Sequence, residues 1–207
     1  MLGADDENTA NYNTTNSTIK GNSTTEGTLD YWYYTNIDQK GYSDYIEDTV
    51  WCNDQSIYQL NGWDPNGGST TSSLLFGSYG RAYSTYTPSL TCSRDIDKFT
   101  VGTDTGNGAL DYPVGLLTAD EVMLAGGKLG TDNSTYYLYT GEYYWLSAPY
   151  YFDDYSAYGF LVHSSGRLYG YNVNNSALGV RPSISLKPGF KLTGSGDGTV
   201  NNPYIVE

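Results

Sequence analysis

The stretch of the chain that decides the fold is Tyr143–Leu186, YYWLSAPYYFDDYSAYGFLVHSSGRLYGYNVNNSALGVRPSISL. Short runs of aromatic and β-branched residues alternate in it with glycines and turn-forming residues, a pattern typical of short strands joined by tight turns. The strands predicted in this half of the chain are 136–140, 143–147, 159–163, 167–173 and 180–186, with a hairpin turn at 164–166. Strands so close in sequence favour an antiparallel sheet.

An apolar skeleton within the same stretch predicts the core. The residues predicted to be buried are Trp145, Phe160, Val162, Leu168, Val173, Val180 and Ile184. Gly159, Gly166 and Gly179 are predicted to be required by the backbone geometry. Arg181, which precedes a proline, is predicted to be a buried, hydrogen-bonded structural side chain and not a ligand anchor.

Two segments before this stretch predict helices. Apolar residues between Leu29 and Ile37 recur at helical spacing, which predicts a short helix over about 28–38. A Thr-Ala-Asp-Glu capping box, followed by an apolar run and a Gly-Gly pair, predicts a helix over about 118–125. The run 42–51 fits either a second short helix or an extended segment.

Polar and turn-forming segments make up most of the remainder. Residues 1–27 contain almost no apolar side chains and predict a disordered linker or stalk. Residues 61–92 are predicted to be irregular, and 194–206 to form a tight turn and a closing strand. This order of helices, long irregular loops and a late small antiparallel sheet predicts an α+β domain over 28–207.

Composition and charge exclude some classes of partner. The net charge is −13 and the pI about 4.2, which argues against nucleic-acid binding, since that needs a basic surface. It also argues against adhesion to anionic membranes. The 23 tyrosines and 25 glycines, with abundant Ser, Thr and Asn, are typical of adhesive surfaces and of paratopes. An ordinary extracellular β-rich domain is the alternative interpretation.

The two cysteines indicate the compartment. Cys52 and Cys92, an even number in an acidic and lysine-poor chain, predict one disulfide in an oxidising environment. Two buried free thiols are the alternative. A metal site is not expected, because the chain has a single histidine and no Cys-x-x-Cys pair. The N-terminal sequence shows no signal peptide or membrane span, so an extracellular or cell-surface location, or one on a virus particle, implies an export signal or anchor outside this sequence.

Several residue types are missing from the decisive stretch. Between Leu146 and Leu186 there is no Lys, Glu, Gln, Met or Trp. An asparagine codon of the AAY type that is randomised at its adenines can encode Tyr, Asp, Ser, Asn, His, Gly, Arg and others, but none of these missing types. The gap therefore has a possible genetic cause.

The late block resembles a known family. YYWLSAP, YGFLVHSSGRL and LGVRPSISL are similar to C-type-lectin-fold proteins of the formylglycine-generating-enzyme-like subclass, and in particular to the variable proteins of diversity-generating retroelements. The Gly-Val-Arg-Pro run at 179–182 resembles the closing Gly-x-Arg element of that family, and Trp145 the tryptophan at which its variable segment begins. The resemblance covers about 28–207. It implies a C-type lectin fold with two short helices, and a variable segment over about 146–186.

The block also resembles a repeated C-terminal module of secreted, partly pilin-like Gram-positive surface proteins that ends in Gly-Asp-Gly-Thr and Asn-Pro-Tyr. One departure from the lectin-fold enzymes matters. The sulfatase-activating members need a cysteine pair near the C-terminus for copper-dependent oxidation, and no cysteine follows Cys92. The sequence therefore predicts a protein that is not an enzyme and needs no cofactor.

Two sets of residues resemble catalytic groups but fit other roles better. His163 precedes Ser164 and Ser165, but serine–histidine chemistry needs a third orienting group and a placement that adjacency on a strand does not provide. Asp153 and Asp154 suggest acid–base work or calcium, but in a tyrosine-rich loop they fit exposed hydrogen-bond acceptors better.

Tyrosines interleaved with Asp, Ser, Asn and Gly are the composition of a binding hot spot. The residues predicted to bind ligand are Tyr150, Tyr151, Asp153, Asp154, Tyr155, Ser156, Tyr158, His163, Ser165, Arg167, Tyr169, Tyr171, Asn172, Asn174, Asn175 and Ser176. A tyrosine-rich structural sheet is the alternative. The leading hypothesis is a ligand-binding receptor or adhesin that recognises a protein or glycan on another surface. The second is a fixed, pilin-like structural module. The sequence leaves the oligomeric state open.

Overall fold

The protein combines short helices with antiparallel sheets, and so belongs to the α+β class. The computed structural model describes residues 2–5, 9–15, 29–61, 73–153, 156–174, 178–199 and 201–206. The α-helices are α1 (Leu29–Tyr33), α2 (Gly77–Gly80) and α3 (Ala119–Ala125). Turns of π-helix at Tyr34–Asp38 and Arg81–Thr85 continue α1 and α2, and 3-10 turns lie at Ser43–Tyr45 and Asp95–Asp97.

Eleven strands form one central sheet and three short ribbons within the described residues. They are β1 (Leu2–Asp5), β2 (Thr9–Thr15), β3 (Ile46–Glu47), β4 (Trp51–Cys52), β5 (Ile57–Asn61), β6 (Ser73–Phe76), β7 (Lys98–Phe99), β8 (Tyr144–Asp153), β9 (Ala157–Val162), β10 (Leu168–Asn172) and β11 (Ser185–Leu186). The central sheet has the antiparallel order β10-β9-β8-β6-β5. The ribbons pair β1 with β2, β3 with β11, and β4 with β7.

The central sheet carries a core on each face. On one face β8, β9 and β10 pack against α3 and the turn after α2, through Ala82, Ala119, Val122, Tyr144, Leu146, Ala148, Phe160, Val162 and Leu168. On the other face β8 and β9 pack against α1, through Leu29, Tyr33, Ile46, Val114, Leu116, Trp145 and Leu161. Because both faces are covered, β8 and β9 read as nearly continuous apolar runs and not as strict alternation.

Predictions that rest on local chemistry are confirmed. Helix α3 begins at a capping box in which the Thr118 hydroxyl accepts from the Glu121 N–H, and it ends at Gly126 in the left-handed region. Helix α1 and its π-helical continuation cover 29–38. The 164–166 turn joins β9 to β10, with Gly166 at a φ of 81° and its N–H donating to the His163 carbonyl.

The core prediction is confirmed for four of its residues and only approximate for the others. Trp145, Phe160, Val162 and Leu168 are buried. The remaining three, Val173, Val180 and Ile184, are partly exposed. Arg181 is partly buried, and its guanidinium donates to the Leu138 carbonyl at 2.9 Å and lies over the Tyr144 ring.

Three strand and loop predictions are wrong. Residues 136–140 form a turn, because Tyr136 is buried and its hydroxyl donates to the Gly166 carbonyl, an interaction from a distant part of the chain. Within 180–186 only the last two residues form a strand, since Pro182 has no N–H to donate. The segment 61–92, predicted to be irregular, contains β6 and α2 where it is described.

The structure also bears on the predictions for 42–51, for the C-terminal strand and for 1–27. The run 42–51 is a 3-10 turn followed by extended backbone, not a second helix. The predicted closing strand at the C-terminus occurs as isolated bridges, Leu192 with Val206 and Thr199 with Asn202. Within 1–27, predicted to be a linker, the described residues form the β1–β2 ribbon; the other residues of that segment lie outside the described ones.

The predicted disulfide is present. Cys52 and Cys92 are bonded, with their Cα atoms 5.7 Å apart, so the alternative of two free thiols is wrong. The bond ties β4 to the loop that follows the helical turn at 81–85. Among the described helices, none combines the length and the apolar character that a membrane span requires.

Candidate binding site

Five tyrosines form a continuous row of ring contacts across the face of the sheet that packs against α3. Tyr83 stacks on Tyr79 with ring centroids 5.4 Å apart, and Tyr79 meets Tyr150 edge-on at 4.9 Å. Tyr150 contacts Tyr151 at 5.5 Å, and Tyr151 stacks on Tyr158 at 4.2 Å. The first three of these distances lie within the range of favourable aromatic pairs, about 4.5–7 Å, and the Tyr151–Tyr158 stack is slightly closer. We call this set the tyrosine row.

A β-bulge in β8 explains how two consecutive tyrosines join the same row. Pro149 lies opposite Gly159 and Tyr151 opposite Tyr158, so β8 advances two residues where β9 advances one. Successive side chains of a regular strand point to opposite faces, and a bulge interrupts that alternation. Tyr150 therefore contacts Tyr151 while its own ring packs edge-on against Phe160 at 4.8 Å.

A glycine on β10, the strand on the far side of β9 from β8, provides the space for the Tyr150 ring. Gly170 of β10 lies opposite Phe160, and a Cβ built on it would sit 2.2 Å from Tyr150 Cδ1. No side chain at position 170 fits without moving that ring. The close approach of Tyr150 to β10 thus depends on this one glycine.

Next to the row lies a groove of about 310 Å³, between the helical turn at 81–85 and the edge of β10. We call it the tyrosine groove. Its lining residues are Tyr79, Ala82, Tyr83, Tyr86, Leu129, Gly130, Tyr150 and Tyr169. Tyr83, Tyr86 and Tyr169 are exposed by 66%, 56% and 40%. None of these lining side chains carries a formal charge.

Tyr86 holds an unusual backbone conformation at the rim of this groove. Its φ of 50° and ψ of 40° lie in the left-handed region, and it is the one non-glycine residue with positive φ among those described. This region costs an L-residue roughly 1–2 kcal/mol relative to the right-handed one. Such strain concentrates at ligand clamps and other functional sites.

An ion-pair network fixes the helical wall of the groove from behind. Arg81 donates from Nε to Asp120 at 2.6 Å and from Nη2 to Asp54 at 2.7 Å. Ser78 donates to the same Asp120 at 2.9 Å. These hydrogen bonds outweigh burial and raise the pKa of Arg81, so the guanidinium stays charged. The turn that carries Tyr79, Tyr83 and Tyr86 is therefore held to α3 by buried polar contacts.

The phenols of Tyr150 and Tyr79 are neutral. Burial raises the pKa of Tyr150 to about 12, with smaller contributions from the neighbouring Tyr79 and Tyr169. Burial also raises the pKa of Tyr79. Both hydroxyls keep their proton at physiological pH, and a phenol can donate and accept a hydrogen bond.

The opposite end of β9 and β10 holds a second polar cluster around His163. The Ser165 N–H donates to His163 Nδ1 at 3.0 Å, and Tyr143 Oη lies 2.7 Å from Nε2. Since Nδ1 accepts, the proton of the neutral ring is on Nε2 and is donated to Tyr143. The Ser165 hydroxyl donates to Asp132 at 2.5 Å. In a catalytic triad the carboxylate orients the imidazole, whereas here it holds the serine, which is the geometry of a stabilised turn.

Comparison with known proteins gives no relative from which to transfer a role. No family model matches the chain, and no curated protein or solved structure is similar enough to count as a match. The site must therefore be interpreted from its own residues. Within the described part of the chain, no group of three or more His, Cys, Asp or Glu is placed to hold a metal ion.

The residues predicted to bind ligand do not converge on one point. At the β8–β9 turn and the end of β10 lie Tyr151, Ser156, Tyr158, Asn172 and Asn174. At the other end, about 16 Å away along β9 at a rise of about 3.3 Å per residue, lie His163, Ser165 and Arg167.

Tyr150 and Tyr169 lie between these two ends, in the groove. Tyr171 is exposed beside Tyr169, with ring centroids 6.5 Å apart. Asp153 is described only as a backbone position of β8, paired with Ser73. Asp154, Tyr155, Asn175 and Ser176 lie outside the described residues.

The helical wall of the groove, at 79–86, was not predicted from the sequence. Tyr79, Tyr83 and Tyr86 lie in the segment predicted to be irregular, yet they supply three of the five tyrosines of the groove. Their spacing of four and three residues is that of one helix face. That periodicity is the signal by which they could have been found.

Proposed function

We propose that this chain is a non-enzymatic ligand-binding protein, a receptor or adhesin outside the cell or on its surface. Its binding surface comprises the tyrosine row, the tyrosine groove and the outward residues of β8, β9 and β10. The ligand is a protein or a glycan carried on another surface. The disulfide between Cys52 and Cys92 supports the location, because such bonds persist in oxidising compartments.

One observation carries this proposal. Every predicted ligand-binding residue whose side chain is described is at least partly exposed, from Tyr150 through Asn174. The skeleton interleaved with them, Trp145, Phe160, Val162 and Leu168, is buried by more than nine-tenths. The stretch thus separates into a fixed interior and a permissive surface, the arrangement that a binding face on an inert scaffold requires.

We further propose that the scaffold is a C-type lectin fold and that 146–186 is its diversified segment. The resemblance of this block to variable proteins supports both statements. So do the late antiparallel strands β8, β9 and β10, which carry the partly exposed positions between their buried ones. Substitutions at partly exposed positions of this kind are tolerated because they leave the core packing unchanged.

A pair of triple variants tests the binding role. Tyr83→Ala/Tyr169→Ala/Tyr171→Ala removes exposed rings from the proposed surface. The matched control Tyr42→Ala/Tyr137→Ala/Tyr204→Ala removes three exposed rings elsewhere. Labelled wild-type protein is applied to arrays of surface proteins and of glycans. We expect the first variant to lose the wild-type signals and the control to keep them; equal loss in both would refute the assignment of the surface.

Population sequencing tests the diversification. The 3′ end of the gene is sequenced in many individuals of the source population. We expect substitutions to concentrate at adenine-containing codons between about 150 and 178, with Trp145 and the 179–182 run unchanged. A segment that varies no more than the rest of the gene would instead favour a fixed, pilin-like surface module.

A further inference from the structure

We infer that the tyrosine groove binds a proline-rich segment of a partner protein in the polyproline II conformation. The inference rests on the proposed binding function and specifies the ligand of one part of that surface. Three properties of the groove support it and restrict the class of ligand: the charge of the lining, its hydrogen-bonding capacity and its aromatic residues.

The charge of the lining favours an uncharged ligand. The eight lining residues are five tyrosines with Ala82, Leu129 and Gly130. A charged ligand group that entered this groove would lose hydration and gain no ion pair with the lining residues, which is costly. An anionic ligand would in addition approach a chain of net charge −13.

The hydrogen-bonding capacity favours a ligand with acceptors over one with many hydroxyls. The polar side-chain atoms of the lining are phenol oxygens, and burial keeps Tyr150 and Tyr79 protonated, so they can donate. A proline-rich segment offers carbonyl acceptors and no N–H at its prolines, and polyproline II makes no internal hydrogen bonds. A sugar would bring several hydroxyls around the edge of its ring, and those that faced Ala82 and Leu129 would be left unpaired.

The aromatic lining of the groove is also that of known proline-binding sites. Aromatic-lined grooves take polyproline II segments because the ligand is already ordered and loses little entropy. Tyr83 is held by its stacking on Tyr79, so this receiving ring is ordered before binding. A preformed site and a preformed ligand both reduce the cost of association.

Calorimetric titration of the full chain with a synthetic decaproline peptide tests the inference. The negative control is a Gly-Ser peptide of equal length. We expect saturable binding of decaproline alone. Tyr83→Ala and Tyr169→Ala should each weaken it by about tenfold or more, the effect of losing a binding hot spot. Tyr137→Ala, which removes a tyrosine that is 81% exposed and outside the groove, should change it by less than about twofold.

A second probe separates the possible failures. Maltoheptaose, a neutral oligosaccharide, is titrated under the same conditions. Saturable maltoheptaose binding that Tyr83→Ala abolishes, with no decaproline binding, would overturn the inference and leave the binding function standing. Absence of decaproline binding at millimolar peptide overturns the inference in any case; the array experiment with the triple variants then decides the binding function. Circular dichroism of each variant shows whether it is folded, and Tyr169→Ala, on an edge strand, provides the result if Tyr83→Ala does not fold.

Discussion

Gly170 is the position at which one methyl group should disturb the candidate site most sharply. In Gly170→Ala the new Cβ would sit 2.2–2.5 Å from three atoms of the Tyr150 ring, well inside van der Waals contact. The ring must then move away from β10, and it meets Tyr79 and Phe160 on its other sides. Overpacking of this kind costs about 1–3 kcal/mol.

Gly159→Ala is the matched control. Gly159 lies on β9 opposite Tyr171, in the same strand pair but on the other face of the sheet. Its added Cβ would make ordinary contacts of 3.4–3.7 Å with Trp145 and Val173. Replacing a glycine whose conformation alanine can adopt stabilises a protein by about 0.4–1 kcal/mol, through the unfolded state. The two variants should therefore shift the unfolding free energy in opposite directions.

Guanidinium unfolding followed by tryptophan fluorescence measures both shifts, since Trp145 is buried in the core. At constant slope, a change of midpoint reports stability alone. Because the clash is with Tyr150, the penalty of Gly170→Ala should disappear in a Tyr150→Ala background, as a double-mutant cycle would show. Equal effects of the two glycine substitutions, or a penalty that persists without the Tyr150 ring, would refute the reasoning.

Three further predictions concern the disulfide, the buried Asp97 and the partly buried Tyr150. Cys52→Ser/Cys92→Ser should lower the unfolding free energy by about 4 kcal/mol on the chain-entropy model for a separation of 40 residues; an unchanged denaturation midpoint would contradict this. Burial raises the pKa of Asp97, whose Oδ1 has no hydrogen-bond partner among the described residues. The wild type should therefore lose stability as the pH rises from the ordinary aspartate pKa through the raised one. Asp97→Asn cannot ionise, so in thermal melts its stability relative to the wild type should increase between acid and neutral pH. Because burial raises the pKa of Tyr150 to about 12, Tyr150→Phe should remove a late ionisation from the alkaline difference spectrum; loss of an early one would show that the ring is accessible.

The parts of the fold that sequence analysis found are those with local causes. The capping box of α3 and the 164–166 hairpin turn each need only a few consecutive residues. The parts it missed depend on distant partners. Tyr136 to Thr140 has the residue types of a strand, but the Tyr136 hydroxyl pairs with Gly166, thirty residues away, and the chain turns there instead. The strand β6 is a short apolar run whose partners in β8 lie more than seventy residues later.

Only part of the candidate site was predicted, because the rest also depends on contacts between distant parts of the chain. Tyr150 and Tyr169 were found because tyrosines are dense around them in sequence. Tyr79 and Tyr83 join them through ring contacts and through an ion pair between Arg81 and Asp120, which no local pattern specifies. The bulge that interrupts the alternation of β8 is likewise visible only in the register of two strands.

The two walls of the tyrosine groove come from separate parts of the chain. The helical wall, at 79–86, lies outside the stretch 146–186, whereas Tyr150 and Tyr169 lie inside it. A sequence change in that stretch can thus remodel one side of the groove while the three tyrosines of the other side stay in place. A lineage of such chains would share a constant half-site and differ in the facing half. Its members would then vary in which partner they prefer and not in the kind of contact they make.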